Sequence, residues 1–157
     1  MPVTVRRATK KDAARVAELS VALAEQHVGY DTARFARLIT RDGAERFYGG
    51  QAEAPDAVVL VAERDGEVVG FAYMQYEPVL YAELAVKVAW LHDIFVDENE
   101  RRSDIGKKLL ETAADEARGF GATKVLLSVA TQNDSAKAFF ESVGFYTTMH
   151  EMMCLLD

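Results

Sequence analysis

The 157-residue chain has one cysteine, three prolines and fewer basic than acidic side chains. Each shortage excludes something. A lone thiol, Cys154, forbids an internal disulfide and suits a reducing compartment. Its setting in Met152-Met153-Cys154-Leu155-Leu156 predicts a small buried hydrophobe rather than a nucleophile. No uninterrupted apolar run approaches the roughly 20 residues of a membrane span. Met1-Pro2-Val3-Thr4-Val5-Arg6-Arg7 lacks the apolar stretch of a signal peptide, so a cytoplasmic protein is expected. With 18 Lys and Arg against 25 Asp and Glu, the net charge is −7. That balance disfavours nucleic acid and anionic membrane as partners. Neither repeat nor linker divides the chain, which predicts a single domain over residues 1–157.

What is present reads as alternating strands and helices. Val3–Ala8 is β-prone, and Thr9 or Asp12 can cap a helix whose face is Val16, Leu19 and Leu23. Asp31 or Thr32 could cap a second short helix with Phe35, Leu38 and Ile39 inward. Residues 41–56, with three Gly, read as irregular. Ala57–Ala62 and Val68–Tyr76 predict two strands joined at Asp65-Gly66, with Pro78 as a breaker. Val88–Val96 predicts a third. Ile105, Leu109, Leu110, Ala113 and Ala117 mark an amphipathic helix ending near Gly119 and Gly121. Val125–Val129 is strand-like, and Ala136, Phe139, Phe140 and Val143 stripe a last helix stopped by Gly144. Phe145–Leu156 predicts a final strand, which if exposed could pair across a homodimer. The order β-α-α-β-β-β-α-β-α-β implies crossovers and some parallel pairing.

The most informative stretch is Trp90–Leu110, a strand, a polar loop and a helix start. Residues 101–108 hold four basic side chains and one acid, Asp104. A local surplus of +3 at a helix N-terminus is what a polyanionic small molecule requires. Ser103-Asp104 is equally a plain N-cap pair, and Arg101-Arg102 a solvated turn.

The segment resembles the acetyl-CoA loop of the GCN5-related N-acetyltransferase (GNAT) superfamily, which reads Arg or Gln, two residues, Gly, one residue, Gly or Ala. Arg101 and Gly106 match the outer places, and Asp104 replaces the middle Gly. Asn133-Asp134-Ser135-Ala136-Lys137-Ala138-Phe139-Phe140-Glu141-Ser142-Val143-Gly144-Phe145 is similar to the superfamily's second signature. The resemblance implies an α/β (α+β) GNAT fold: a mixed sheet of six to seven strands flanked by about four helices. It implies transfer of acetyl from acetyl-CoA to a primary amine. Carried over, Arg101, Arg102, Ser103, Asp104, Ile105, Gly106 and Lys107 would bind the pyrophosphate through backbone N–H groups. Ile94, Phe95 and Val96 would pair with the pantetheine arm. Asn133, Ala136, Phe139 and Phe140 would line its path.

An amine nucleophile must lose a proton, and His92 and Asp93 on the central strand are the candidate bases. Leu91-His92-Asp93-Ile94-Phe95-Val96 is similar to the diamine acetyltransferase branch, where an acid stands at the place of His92. Successive strand residues face opposite ways, so at most one of the pair points into the cleft unless a bulge intervenes. The superfamily's usual general-acid Tyr falls on Phe140, which carries no proton. Tyr146 is the substitute in sequence. Glu25, Glu77 and Glu83 are candidate partners for a cationic acceptor. No metal site is expected, since the three His lack ligand spacing. The acidic total favours a small-molecule amine, polyamine-like. A protein or peptide N-acetyltransferase and a non-catalytic CoA-binding module are the alternatives.

Overall fold

The computed structural model describes residues 2–101 and 103–157. Its elements run β1 (Thr4–Arg7), α1 (Ala13–Tyr30), α2 (Arg41–Gln51), β2 (Ala57–Arg64), β3 (Glu67–Leu80), β4 (Ala85–Val96), α3 (Ile105–Phe120), β5 (Lys124–Leu126) and α4 (Asp134–Ser142). The sheet order is β1-β2-β3-β4-β5. The first four strands pair antiparallel, and β4 pairs with β5 in parallel. The fold is therefore α+β with a mixed sheet and four helices. Among the described residues the sheet has five strands, not six to seven.

Two apolar layers hold it together. On one face, Ile105, Leu109, Leu110, Ala113 and Ala117 of α3 meet Leu60, Ala72, Met74 and Leu91. That is the stripe read from sequence, and each fully buried side chain of this size contributes about 2 kcal/mol. On the other face, Val16, Ala17 and Leu19 of α1 and Tyr48 of α2 cover Val59, Val61, Phe71, Tyr73 and Phe95. Asp65 (φ +53°) and Gly66 (φ +81°) make the tight turn between β2 and β3, a twist that suits a hairpin.

Five expectations fail. Residues 31–40 are not helical, and Leu38 and Ile39 are exposed. The second helix begins instead at Arg41, where Thr40 accepts a hydrogen bond from the Gly43 N–H at 3.1 Å. Its glycines are poor helix formers, but its buried residues, Ala44 and Tyr48, join the same apolar layer as Val16, Ala17 and Leu19 of α1. Pro78 does not end β3. Glu77 pairs with Val88 and Val79 with Val86, and β2 has stopped at the level of Gln75, so Pro78 sits in a two-stranded ribbon where its missing N–H is tolerated. Phe145–Leu156 forms no strand, and residues 146–157 are exposed throughout. Cys154 lies in this segment and is exposed rather than buried.

Candidate functional site

β4 and β5 pair only from Val88–Lys124 to Trp90–Leu126. Beyond that point the strands part. Residues 91–96 of β4 and 127–130 after β5 line the two walls of a cleft of about 1460 Å³. On its other side β4 stays paired to β3, with Ile94 opposite Ala72 and Val96 opposite Gly70. Apart from the Val96 carbonyl, which Arg101 holds, the backbone edge of β4 that faces the cleft is thus free to bind an extended ligand.

One end of the cleft is basic. Arg101, Ser103, Gly106 and Lys107 line it, facing Asn133, Ala136 and Phe139 across the gap. The Asp104 side chain makes no capping bond to α3, so the first-turn N–H groups of that 16-residue helix are available to an anion. A Cβ on Gly106 would meet the Phe139 ring at 3.6 Å. Arg101 is held in place: its Nε donates to the Val96 carbonyl at 3.0 Å, and its guanidinium lies 4.9 Å from the centroid of the Phe95 ring. Asn133 accepts from the Ala136 N–H at 3.1 Å, capping α4. These donors fit a diphosphate at the helix start.

The expected loop residues divide. Ser103, Gly106 and Lys107 face the cleft. Asp104 is not among the residues that line the cleft; it lines a smaller hollow with Val3, Arg64, Ser103, Ile105 and Lys108. Ile105 is a core side chain, 1% exposed. Arg102 falls outside the described residues. Phe140 is mostly buried yet touches the cleft. Tyr146 is 81% exposed and is not among the residues that line it.

The other end is aromatic and acidic. Tyr73 pairs with Asp93 while Met74 pairs with Leu91, so His92 is the extra residue of a β-bulge. Both His92 and Asp93 therefore reach the cleft, which regular alternation forbids. The His92 ring stacks on Tyr73 with centroids 5.4 Å apart, and Trp90 stands 6.0 Å away. Tyr48 donates to Asp93 Oδ2 at 2.6 Å, and Tyr73 donates to Gln51 Oε1 at 3.0 Å. Burial pushes the Asp93 carboxyl up, against the pull of the Tyr48 hydrogen bond. Desolvation holds His92 below the usual imidazole value, against the pull of Asp93. Burial lifts Tyr48 far above the normal phenol range and Tyr73 to about 12, so both stay protonated donors.

Tyr48, Gln51 and Phe47 went unforeseen because α2 read as irregular, and Tyr73 because an apolar strand predicts core. His27 also lines the cleft and contacts Phe35 edge-on at 5.1 Å. Of the acids proposed for a cationic acceptor, Glu25 is taken up by Arg37 at 2.9 Å. Glu83 is exposed, whereas Glu77 is close enough to act on His92 and Tyr73. Among the described residues no helix is long and apolar enough to cross a membrane.

A wedge between two parallel strands, opening onto a bare helix start, can seat an extended ligand that carries an anion at one end. The acetyltransferase (GNAT) family model matches residues 16–145. This chain belongs to the GNAT family. It is similar to the uncharacterized N-acetyltransferase YhfO of Bacillus subtilis, with 29% identity over 91% of this chain and 89% of that protein. It is 31% identical to the N-alpha-acetyltransferase RimI of Mycobacterium tuberculosis, over 92% of this chain and 78% of the relative. Among solved structures, the aminoglycoside N-acetyltransferase AAC(6')-Iy in complex with CoA superposes with a TM-score of 0.81 at 17% identity, covering 99% of this chain and 95% of that one. The GNAT chain described here is thus an N-acetyltransferase, with acetyl-CoA as its co-substrate.

Proposed function

We propose that this acetyltransferase moves acetyl from acetyl-CoA to the primary amine of a small cationic molecule, by direct attack while both substrates share the cleft. The bulge at His92 carries the reading, because it sets a neutral imidazole beside a carboxylate on the floor of an aromatic pocket. Aromatic faces and one carboxylate attract an alkylammonium. Tyr73 and Phe47 supply the faces, and Asp93 supplies the charge.

Arg101, Lys107 and the first N–H groups of α3 hold the pyrophosphate, with Ser103 and Gly106 beside it. The free edge of Ile94–Val96 takes the pantetheine arm, and an N–H there stabilises the oxyanion formed when the amine nitrogen attacks the thioester carbon. Asn133, Ala136 and Phe139 close the opposite wall. Asp93 pairs with the incoming ammonium. His92 takes one proton from that ammonium, which frees the nitrogen lone pair to attack, and the second proton, shed once the C–N bond has formed, passes to water and so to the departing sulfur. The C–S bond then breaks and sulfur leaves as thiolate, whose ordinary pKa of about 8.5 makes it a tolerable leaving group without an acid at Phe140.

Similarity to an N-alpha-acetyltransferase supports a second reading, an acceptor that is the amino terminus of a peptide. One assay separates the two. Free thiol release is followed with acetyl-CoA and a panel of diamines, aminoglycosides and peptides with free amino termini. Turnover of the small cations is expected, and turnover of peptides alone refutes the small-amine reading. His92→Ala should cut kcat by about 100-fold or more and abolish the acidic limb of the pH profile. An unchanged profile removes His92 as the base.

A further inference from the structure

Two tyrosines at the acceptor end of the cleft have already committed their protons. Tyr48 donates to Asp93 Oδ2 at 2.6 Å, and Tyr73 donates to Gln51 Oε1 at 3.0 Å. An amide oxygen only accepts, so the Tyr73 bond also fixes which way the Gln51 amide is turned. Its oxygen is held against Tyr73. Its nitrogen, with two N–H donors, is left over. Among the described residues that nitrogen has no hydrogen-bond partner, yet it is not a buried unpaired atom. Gln51 lines the cleft, so its spare donors are open to what occupies the space.

Gln75 also lines the cleft, but among the described residues no bond fixes its amide, and either end can face inward. Gln51 can offer only donors. It is also set apart from the reacting centre by a fixed amount. Asp93 stands directly across from Tyr73 in the pairing of β3 with β4, at the root of the tyrosine. Gln51 meets the hydroxyl at its tip. One tyrosine side chain thus separates a carboxylate from a pair of N–H donors. Phe47, 47% exposed and with its ring centroid 5.4 Å from that of Tyr73, offers an apolar face beside them. A molecule that satisfies both ends carries an ammonium at one and a hydrogen-bond acceptor at the other, with several carbons between. A hydroxyl or ether oxygen qualifies. A second ammonium does not, because it has donors only and would meet donors.

We infer that Gln51 is a specificity-determining residue, and that the acceptor is an amine bearing a hydroxyl or ether oxygen several carbons from its nitrogen, an amino alcohol or amino sugar in chemical class, in preference to a diamine. The Gln51 amide N–H donates to that oxygen while Asp93 holds the ammonium. The inference rests on the small-amine function proposed above and narrows it. Discrimination comes from both sides, since a ligand without the oxygen forgoes one hydrogen bond and covers donors that it leaves unpaired.

Free thiol release with acetyl-CoA is compared for three amines of one length: pentylamine, its analogue with a hydroxyl on the far carbon, and its analogue with a second amine there. The hydroxylated amine is expected to show the highest kcat/KM, by about fivefold or more over either relative. Turnover of all three without that preference, or with preference for the diamine, leaves the small-amine function standing and overturns the inference. Turnover of peptides alone refutes that function and the inference with it. Gln51→Met keeps the length of the side chain and loses the amide, so the ratio of hydroxylated to plain amine should fall toward one, through the acceptor KM. A ratio that persists, as it would if Gln51 only braced Tyr73, overturns the inference. Gln51→Glu keeps one oxygen for Tyr73 and turns a second acceptor to the cleft, so the diamine should overtake the alcohol. The absence of that reversal also overturns it, and this variant decides the matter should Gln51→Met fail to fold.

Discussion

Tyr48, on the second helix, donates its hydroxyl to Asp93, on the fourth strand, at 2.6 Å and across 45 residues of sequence. The bond favours the ionised carboxylate in a place where burial disfavours it. Tyr48→Phe removes that support. Asp93 should then titrate at higher pH, and the half of the enzyme with a protonated Asp93 should extend toward neutrality. The expected outcome is an acceptor KM that rises most at the acidic end of the pH range, with the KM for acetyl-CoA little changed. A uniform fall in kcat at all pH values, with acceptor KM constant, contradicts the assignment.

Lys107 and Arg101 are the cations at the proposed pyrophosphate end. Lys107→Gln should raise the KM for acetyl-CoA about tenfold, a loss near 1.4 kcal/mol, while the acceptor KM holds. Because the site is open to water, the difference between variant and parent should shrink as salt is added. Steady-state kinetics at two ionic strengths check both points.

Leu109 is fully buried between α3 and the sheet. Leu109→Ala removes its contacts and leaves a void, so unfolding free energy should fall by about 2–5 kcal/mol. Urea unfolding measures this, and a loss below 1 kcal/mol, the size of a surface change, contradicts tight packing there.

Asp12 accepts from Arg6 at 2.8 and 3.1 Å and from the Thr9 N–H at 2.8 Å. The Arg6 bonds hold its carboxyl below the ordinary value, against desolvation. A carboxyl lowered on folding stabilises the protein above its unfolded pKa, and that stability drains away as pH falls through the lowered native value. Asp12→Asn should therefore cost about 2 kcal/mol at neutral pH and much less in acid. Thermal melts of both proteins between neutral and acidic pH check the sign.

How much of this was legible in the residues depends on where the deciding contact lies. α3 was, because Ile105, Leu109, Leu110, Ala113 and Ala117 recur at helical spacing and are the residues that are buried. α2 was not, because Gly43, Gly49 and Gly50 read as loop, and the burial of Ala44 and Tyr48 against the sheet is a tertiary contact that local spacing does not announce. The final segment has strand-like residues, but strand formation needs a partner edge, and composition cannot say whether one is within reach. At the site, His92 and Asp93 announced themselves by residue type. Tyr48 and Tyr73 did not, since an aromatic on an apolar face reads as core until its hydroxyl is seen to have a polar partner.

The bulge at His92 also changes which way the strand faces. Before it, Ala89 and Leu91 pack toward α3; after it, Ile94 and Val96 do, and Phe95 turns to the α1 side. The odd positions serve one layer upstream and the even positions serve it downstream. One inserted residue thus reconciles two half-strands that are out of phase, and it occupies no place in either core. Chemistry at His92 can vary without repacking either layer. The scaffold has set aside, in the middle of its central strand, a position that folding does not need.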